Sequence, residues 1–551
     1  MKRSLFTESV YKLYNIERYI IHTFSVERSN AMASLVYVKN PNGKTYVYSN
    51  ISVYDKETKK VKHIRRSIGH LDPLTGQVVP NRKKGDAARK KAETEKPAGR
   101  CVVENTGIQS LLDKAVADIG LMSPLSAVFP DDWKRILTCA YYLVSEGGAL
   151  CHVDQWQRMY SSPYRSPLVS QRVSELLVRI TPTLQRDFFS RWADVNRQKD
   201  VYAMDITSVS SYSELIDFVR WGYNRDGEKL PQVNLLMLTG VTSHMPLCYR
   251  VIPGSIKDVC TLEDSLADIS LLDNPACHFV MDKGFYSEQN LDAMYASHKK
   301  FLIGAPFTAG FVCKAVERHR DSIRSHHNYC EVSGDQLYAV TESSTWKGHR
   351  FYIHIYYDSF KAAAEERNFD HILHCCYDEL MAGRKIKEHA SYYDRFFLVH
   401  ETPVRGINVD FNEDAINRHK RNHIGWFVLV TNHIKDKTKA LELYRNKDAV
   451  EKCFDDLKND LDMKRLRIHS AAAMEGRIFI QFIALLITTR LKQVMNEAGW
   501  FKFHDLLKVI SEMKSVRSVS IFGSRKKYST VLTPFQIDIY HLFGLTPFSC
   551  V

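Results

Sequence analysis

Between residues 201 and 305 the chain is written in short apolar runs, and these constrain its fold more than any other feature. Val233-Asn234-Leu235-Leu236-Met237-Leu238 and Pro246-Leu247-Cys248-Tyr249-Arg250-Val251 flank a turn around Gly240 to His244. Phe279 to Asp282 and Phe301 to Gly304 follow, with a helix-like stretch between each. Strands of this texture mixed with helices predict an α/β fold, a mixed sheet with helices packed on it. Two runs, Tyr202-Ala203-Met204-Asp205 and Phe279-Val280-Met281-Asp282, read as strands ending in Asp. A strand-terminal Asp is often a turn former or helix cap. Here each follows apolar or aromatic residues that would hold it rigidly at a sheet edge, and Gly284 beside Asp282 permits close backbone approach.

The regions on either side read differently. Residues 1–33 show no clear pattern, and Met32 offers an alternative start. Leu35, Tyr37, Tyr46 and Tyr48 alternate around Asn40-Pro41-Asn42-Gly43, a hairpin signal, with a further strand expected at Ile51 to Tyr54. Asn81 to Arg100 is polar enough for a solvated linker. Residues 107–200 read as helical, with Leu111, Leu112 and Ala115, then Ile136, Leu137 and Ala140, then Val173, Leu176 and Leu177 at helical spacing. Residues 306–425 carry aromatic alternation such as Phe351 to Tyr356 and look like an inserted strand-rich unit. The strand Trp426 to Thr431, a helix over 439–462 and an apolar helix over 477–495 follow. On the last, Phe479, Phe482, Ile483 and Leu486 form a stripe that reads as core.

Charge is placed unevenly. Residues 1–100 hold 21 Lys and Arg against 9 Asp and Glu, a net +12, while the whole chain is only +13. Such a basic end is the footprint of a polyanion partner. The longest apolar run, Ile478 to Ile487, is interrupted by Gln481 and short for a bilayer, so no membrane is expected. No cleavable leader is evident, and the 12 cysteines are scattered. The expectation is a cytoplasmic, nucleoid-associated protein with reduced, buried thiols. Cys313, His319, His326, His327 and Cys330, with His371, His374, Cys375 and Cys376, fit no standard zinc spacing. The absence of a Gly-Lys-Ser/Thr phosphate loop argues against ATP dependence.

The third acid comes from the segment Tyr444 to Lys458. On a wheel at about 100° per residue, Tyr444, Lys447, Glu451 and Lys458 share one face within roughly 60° of arc. Val450, Phe454, Leu457 and Leu461 form the neighbouring buried stripe. Asp448, Asp455 and Asp462 lie near the same flank, so geometry leaves the choice of acid open. Two strand acids and one helical acid can converge on a pair of divalent cations, the arrangement that cleaves and rejoins phosphodiesters.

The chain resembles insertion-sequence transposases of the DDE type, in the group with a Tyr-x2-Arg-x3-Glu-x6-Lys signature. It reads Tyr444-x2-Lys447-x3-Glu451-x6-Lys458, with Lys in place of the usual Arg. Asp205-Ile206-Thr207, Gly222-Tyr223-Asn224-Arg225-Asp226, Pro253-Gly254-Ser255 and Asp282-Lys283-Gly284-Phe285 are similar to that group as well. The resemblance implies a ribonuclease-H-like core, a β-rich insertion before the catalytic Glu, and Asp205, Asp282 and Glu451 as catalytic metal ligands. It selects Glu451 over the nearby aspartates. Magnesium is the implied cofactor, with manganese as a substitute. One ion would activate water and later the freed DNA 3′-hydroxyl, and the other would stabilise the leaving oxygen. Lys447 and Lys458 would hold phosphates, and Tyr444 would stack on a displaced base. Lys447 keeps the charge of Arg but lacks its bidentate fork.

The expected layout is 1–33 N-terminal extension, 34–80 basic β-hairpin unit, 81–106 charged linker and 107–200 helical DNA-end-binding region. Then come 201–305 and 426–500 as two parts of the catalytic core, 306–425 as the β-rich insertion, and 501–551 as a C-terminal tail. The partners implied are double-stranded DNA, as terminal inverted repeats and target, and a second copy of the chain in the DNA complex. A metal-dependent nuclease without strand transfer and a decayed DNA-binding protein are the alternatives.

Overall fold

The computed structural model describes residues 33–40, 43–55, 60–73, 75–81, 101–196, 201–256, 260, 262, 278–402, 406–521 and 527–546. The chain divides into two units, residues 1–100 and 101–551.

In the first unit, β1 (Ala33–Lys39), β2 (Thr45–Asp55), β3 (Lys60–Leu71) and β4 (Val78–Pro80) form an antiparallel sheet in that order. Gly43, at φ +78°, closes the β1–β2 turn by donating its N–H to the Asn40 carbonyl at 2.9 Å. The strand expected at Ile51 to Tyr54 is the second half of β2, so the hairpin unit is a four-stranded sheet. Val47 is buried, while Tyr37, Val61 and Ile64 are about half exposed. The charge clusters of 56–59 and 82–100, and the extension 1–32, lie outside the described residues.

The second unit begins with β5 (Cys101–Asn105) and the helices α1 (Gly107–Asp118), α2 (Trp133–Glu146), α3 (Ser170–Arg179) and α4 (Pro182–Val195). The helical spacing in the sequence is realised here. Leu111, Leu112, Ile136, Leu137, Ala140, Val173 and Leu176 are all buried.

Next come β6 (Val201–Ser211), β7 (Gln232–Gly240), β8 (Pro246–Pro253), β9 (His278–Met281) and β10 (Lys300–Ala305). The segment 306–425 holds β11 (Tyr329–Val332), β12 (Asp335–Trp346) and β13 (His349–Tyr357), then helix α5 (Ser359–Met381) and the hairpin β14 (Phe397–Thr402) and β15 (Gly406–Phe411). After β16 (Trp426–Thr431) come α6 (Lys437–Arg445), α7 (Asp448–Asp455), the short β17 (Arg465–Leu466) and α8 (Ala471–Glu497).

One sheet of ten strands runs in the order β11-β12-β13-β16-β10-β9-β6-β7-β8, with β17 beside β6. β6, β9 and β10 are parallel and the remaining neighbours on that path antiparallel. This is a ribonuclease-H-like mixed α/β core. Three strands of the segment set aside as an insertion, β11 to β13, extend the core sheet itself.

α8 is the spine of the helical layer. Its 27 residues are long and apolar enough to cross a membrane, yet 72% of its most apolar window is buried inside the protein. α1, α2 and α3 pack on it. At Gly476 a Cβ would meet the Leu177 carbonyl oxygen at 2.1 Å, so glycine there lets the backbones of α8 and α3 come together. Phe479 and Phe482 are buried against Phe188 and Phe189. The stripe on α8 is therefore core.

Two expected segments change character. The residues read as linker end in β5, which pairs with β18 (Arg517–Ile521), itself paired with β19 (Lys527–Ser529). The described residues of the expected tail, 501–521 and 527–546, pack on the second unit, where Val509, Met513, Val516 and Ile539 are fully buried. The thiols are not uniformly buried: among the ten described cysteines none forms a disulfide, and Cys101, Cys151 and Cys260 are exposed.

Candidate active site

Strand register builds the site. β6 and β9 pair in parallel from Val201 with His278 to Met204 with Met281, and β10 pairs with β9 up to Ile303 with Met281. One step further along the three strands lie Asp205, Asp282 and Gly304. β9 stops at Met281 and the chain turns through Lys283–Phe285, while β6 runs on to Ser211. Asp205 is therefore inside its strand and not at the end expected from sequence; the strand that ends is its neighbour. Since parallel strands lie about 4.8 Å apart, the two aspartates are brought side by side.

Asp282 is held by Tyr444, whose hydroxyl donates to Asp282 Oδ1 at 2.8 Å. The hydroxyl has room because residue 304 is glycine: a Cβ there would lie 2.9 Å from Tyr444 Oη and 3.1 Å from the Lys283 nitrogen. Burial opposes the Asp282 charge, but the Tyr444 hydroxyl, the Lys283 N–H and the ammonium groups of Lys447 and Lys283 outweigh it and lower the pKa. Burial and the adjacent carboxylates push the Tyr444 hydroxyl far above its ordinary value, so it stays a donor. Tyr444 is half-buried, and the Lys447 ammonium lies 5.8 Å from its ring centroid. The hydroxyl is thus committed to Asp282, while the half-buried ring borders the cleft described below.

Asp205 has the opposite balance. Its Oδ1 accepts the Ile206 N–H at 2.8 Å, and the Arg225 guanidinium stands 3.6 Å away. Burial dominates these and the Lys447 charge, and with the Asp282 charge beside it lifts the Asp205 carboxyl to about 6. Arg225 was legible only as part of the Gly222 to Asp226 motif, with no role attached.

The third acid rides on a broken helix. α6 ends at Arg445, α7 starts at Asp448 with Lys447 as the preceding cap residue, and a π-turn spans Asp456–Asp460. The single helix expected from Tyr444 to Lys458 is therefore three pieces. Tyr444, Lys447 and Glu451 still come together. Lys447 Nζ donates to Glu451 Oε1 at 2.7 Å, and its side chain is only 10% exposed. Burial opposes the ammonium charge, but Glu451, Asp282 and Asp205 together raise its pKa. Lys447 is thus surrounded by all three acids.

The competing acids are disposed of elsewhere. Asp448 and Asp455 are exposed, Asp456 and Asp460 pair with Lys492, and Asp462 pairs with Arg477. Lys458 binds both carboxylate oxygens of Asp226 at 2.8 Å. Its expected contact to a phosphate would have to displace or extend that pair.

A cleft of about 990 Å³ opens beside Asp282 and Tyr444 and runs past Phe307, Phe369, Trp426 and His423. Asp205 and Glu451 are outside its lining.

The residues fit a divalent cation. Asp205, Asp282 and Glu451 offer only hard carboxylate oxygens, the donor type that suits magnesium or manganese. Strand register sets two of these carboxylates side by side, at Asp205 and Asp282. Among the Cys/His residues noted above, Cys376 lies near Glu379 and His389 with ligand atoms within 4.8 Å of one another. His389 Nδ1 is 2.9 Å from Glu379 Oε2, and the Tyr393 hydroxyl donates to the same oxygen, which satisfies that carboxylate without an ion.

The family profile of the transposase DDE domain matches residues 196–487, a span that begins just before β6 and ends in α8. The chain belongs to this family. It is a DNA transposase, of a class that generally uses divalent metals. No curated protein matches the chain. Among solved structures, the transposase is similar to a piggyBac transposase synaptic complex with hairpin DNA. The identity is 10%, with 74% of this chain and 76% of that chain covered, at a TM-score of 0.33. So distant a likeness carries no weight in the functional argument.

Proposed function

We propose that the chain is the transposase of a bacterial insertion sequence. It binds the element's terminal inverted repeats in the nucleoid, cuts the DNA with two divalent metals and joins the 3′ ends to target DNA. The observation that carries this reading is the register that sets Asp205 beside Asp282, with Lys447 joining both to Glu451.

A pair of magnesium ions, when held by Asp205, Asp282 and Glu451, supplies Lewis-acid activation for in-line attack and offsets charge on the leaving oxygen. The chain's own groups do the rest. Tyr444 fixes the Asp282 carboxylate through its hydrogen bond and keeps it ionised. Arg225 steadies Asp205 from the other side. Lys447 neutralises Glu451 before DNA arrives and then turns to a backbone phosphate, acting as a point charge in place of an arginine fork. Lys458 does the same from its pair with Asp226. The basic N-terminal unit contributes sequence-independent grip on the ends.

Two ends must be joined to one target, so the working complex contains two copies of the chain. The deciding experiment incubates the full chain with magnesium and duplexes bearing the inverted repeats that flank its coding DNA. Joined products establish the transposase. Hydrolysis without joining would reassign the site to a nuclease, and binding without nicking would mark a decayed one. The mass of the complex on paired ends tests the dimer.

A further inference from the structure

The loop between β6 and β7 carries two large rings that the protein itself does not use. Trp221 is 68% exposed and Tyr223 is 86% exposed. Single exposed aromatics are ordinary, but these two project from a backbone fixed at nearly every residue. Arg220 exchanges both backbone hydrogen bonds with Gln232 at 2.9 Å. Gly222 lies against Gly254 so closely that a Cβ would meet the Gly254 carbonyl oxygen at 1.9 Å. The buried Gln232 side chain donates to the Tyr223 carbonyl at 2.8 Å. Asn224 donates to Ser210 Oγ at 3.0 Å and accepts from the Asp226 and Glu228 N–H groups, while the Arg225 N–H donates to Ser208 Oγ at 3.0 Å. Ser208 and Ser210 stand on the strand that carries Asp205.

This clasp has a direction. Its next residue, Arg225, reaches Asp205, so Tyr223 sits within about 7 Å of chain from a residue touching the catalytic acid. Two of the loop's four acids are paired away from the rings, Asp226 with Lys458 and Glu228 with Arg465, while the exposed Asp217 stands 3.7 Å from Arg220 and Glu214 is exposed. The cations that follow the rings in the loop are Arg225 and Lys229, both exposed. Rigid aromatic faces beside positive charge suit bases with a phosphodiester backbone, since stacking is sequence-tolerant and the backbone is anionic.

We infer that Trp221 and Tyr223 form a stacking platform for unpaired DNA bases at the Asp205 side of the active site. The inference rests on the transposase reading for its biological setting, but its test needs only binding. The platform is assembled before DNA arrives, so little ordering entropy opposes stacking.

The probe is a forked duplex with a single-stranded thymidine tail and one 2-aminopurine at the junction, compared with a blunt duplex of equal length. The full chain is used without magnesium. Wild type is expected to prefer the fork and to quench the 2-aminopurine. The Trp221→Ala/Tyr223→Ala double variant should lose about tenfold or more in fork affinity, with blunt-duplex affinity changed by no more than about twofold. Trp221→Phe and Tyr223→Phe should keep most of the preference, which separates stacking from a folding defect.

Equal binding of fork and blunt duplex by wild type would overturn the inference, as would a double variant that keeps the preference. A double variant with normal fork binding but an altered free-protein mass would reassign the rings to a contact between copies, which also overturns it. Fork preference lost in the double variant, in a wild type that never joins ends, would support the platform while removing the transposase reading.

Discussion

Asp205 and Asp282 occupy the same level of adjacent parallel strands, yet the protein treats their charges in opposite ways. Asp282 is pulled below its ordinary pKa and Asp205 is lifted to about 6. Burial opposes ionisation at both. Burial is heavier at Asp205; each accepts a backbone N–H, but Asp282 also receives the Tyr444 hydroxyl at 2.8 Å, while the nearest cation to Asp205 stands off at 3.6 Å. Two hydrogen bonds to the charged form outweigh the milder desolvation of Asp282; one such bond and a looser ion pair do not outweigh the heavier desolvation of Asp205. One aspartate is held ionised by its hydrogen bonds, and the other is held toward protonation by its burial.

The largest effect should ignore this asymmetry. Asp205→Ala, Asp282→Ala and Glu451→Ala should each reduce magnesium-dependent nicking by about 10³-fold or more while leaving end-DNA binding largely intact. An Asp205→Ala protein that nicks at the normal rate would break the comparison, because the two acids would no longer share one task.

The next effect should fall on one side only. Tyr444→Phe removes the donor to Asp282 and should lower nicking about 10- to 100-fold. The deficit should grow as pH falls, because Asp282 loses a group that kept its pKa down. A pH-independent loss would mean that Tyr444 acts by some route other than Asp282.

Stability should then show the opposite signs. The folded Asp205 pKa is raised above 3.8, so the metal-free fold loses stability as pH rises from about 4 to about 6 and carries the penalty above that. Asp205→Asn should therefore stabilise the metal-free protein at pH 7, by about 1–3 kcal/mol. Asp282→Asn should instead cost about 1 kcal/mol, because it loses a charge-assisted hydrogen bond. Thermal unfolding of both variants across pH checks the pair. Two variants that shift in the same direction would remove the electrostatic distinction.

The smallest effect sharpens the geometry. Gly304→Ala places a methyl 2.9 Å from Tyr444 Oη and should displace the hydroxyl, at a cost of about 1–2 kcal/mol. Its loss of nicking should not add to that of Tyr444→Phe, since both act through one hydrogen bond. Additive losses would place the effect of residue 304 elsewhere.

Much of this was readable from residue order. Apolar runs at strand length gave β6 to β10, helical periodicity gave α1 to α3, and Asn40 to Gly43 gave the first turn, because these patterns are local. The signature around Glu451 was legible as residue types at fixed spacing. The break after Arg445 and the π-turn at Asp456–Asp460 were not, because a wheel assumes a uniform helix. Gly304 carried no signal either, since its reason is a hydroxyl from a residue far along the chain.

By itself, then, the sequence determined which segments become strands and helices and which acids are present, since backbone preference and side-chain periodicity act over a few residues. Only the tertiary structure decided that Asp205 lies within a strand, that Val509, Met513, Val516 and Ile539 join the core, and that Tyr444 serves Asp282. Those outcomes depend on strand register and on contacts between distant segments. One residue of register sets which side chains share a face, and residue order does not state which strands will pair.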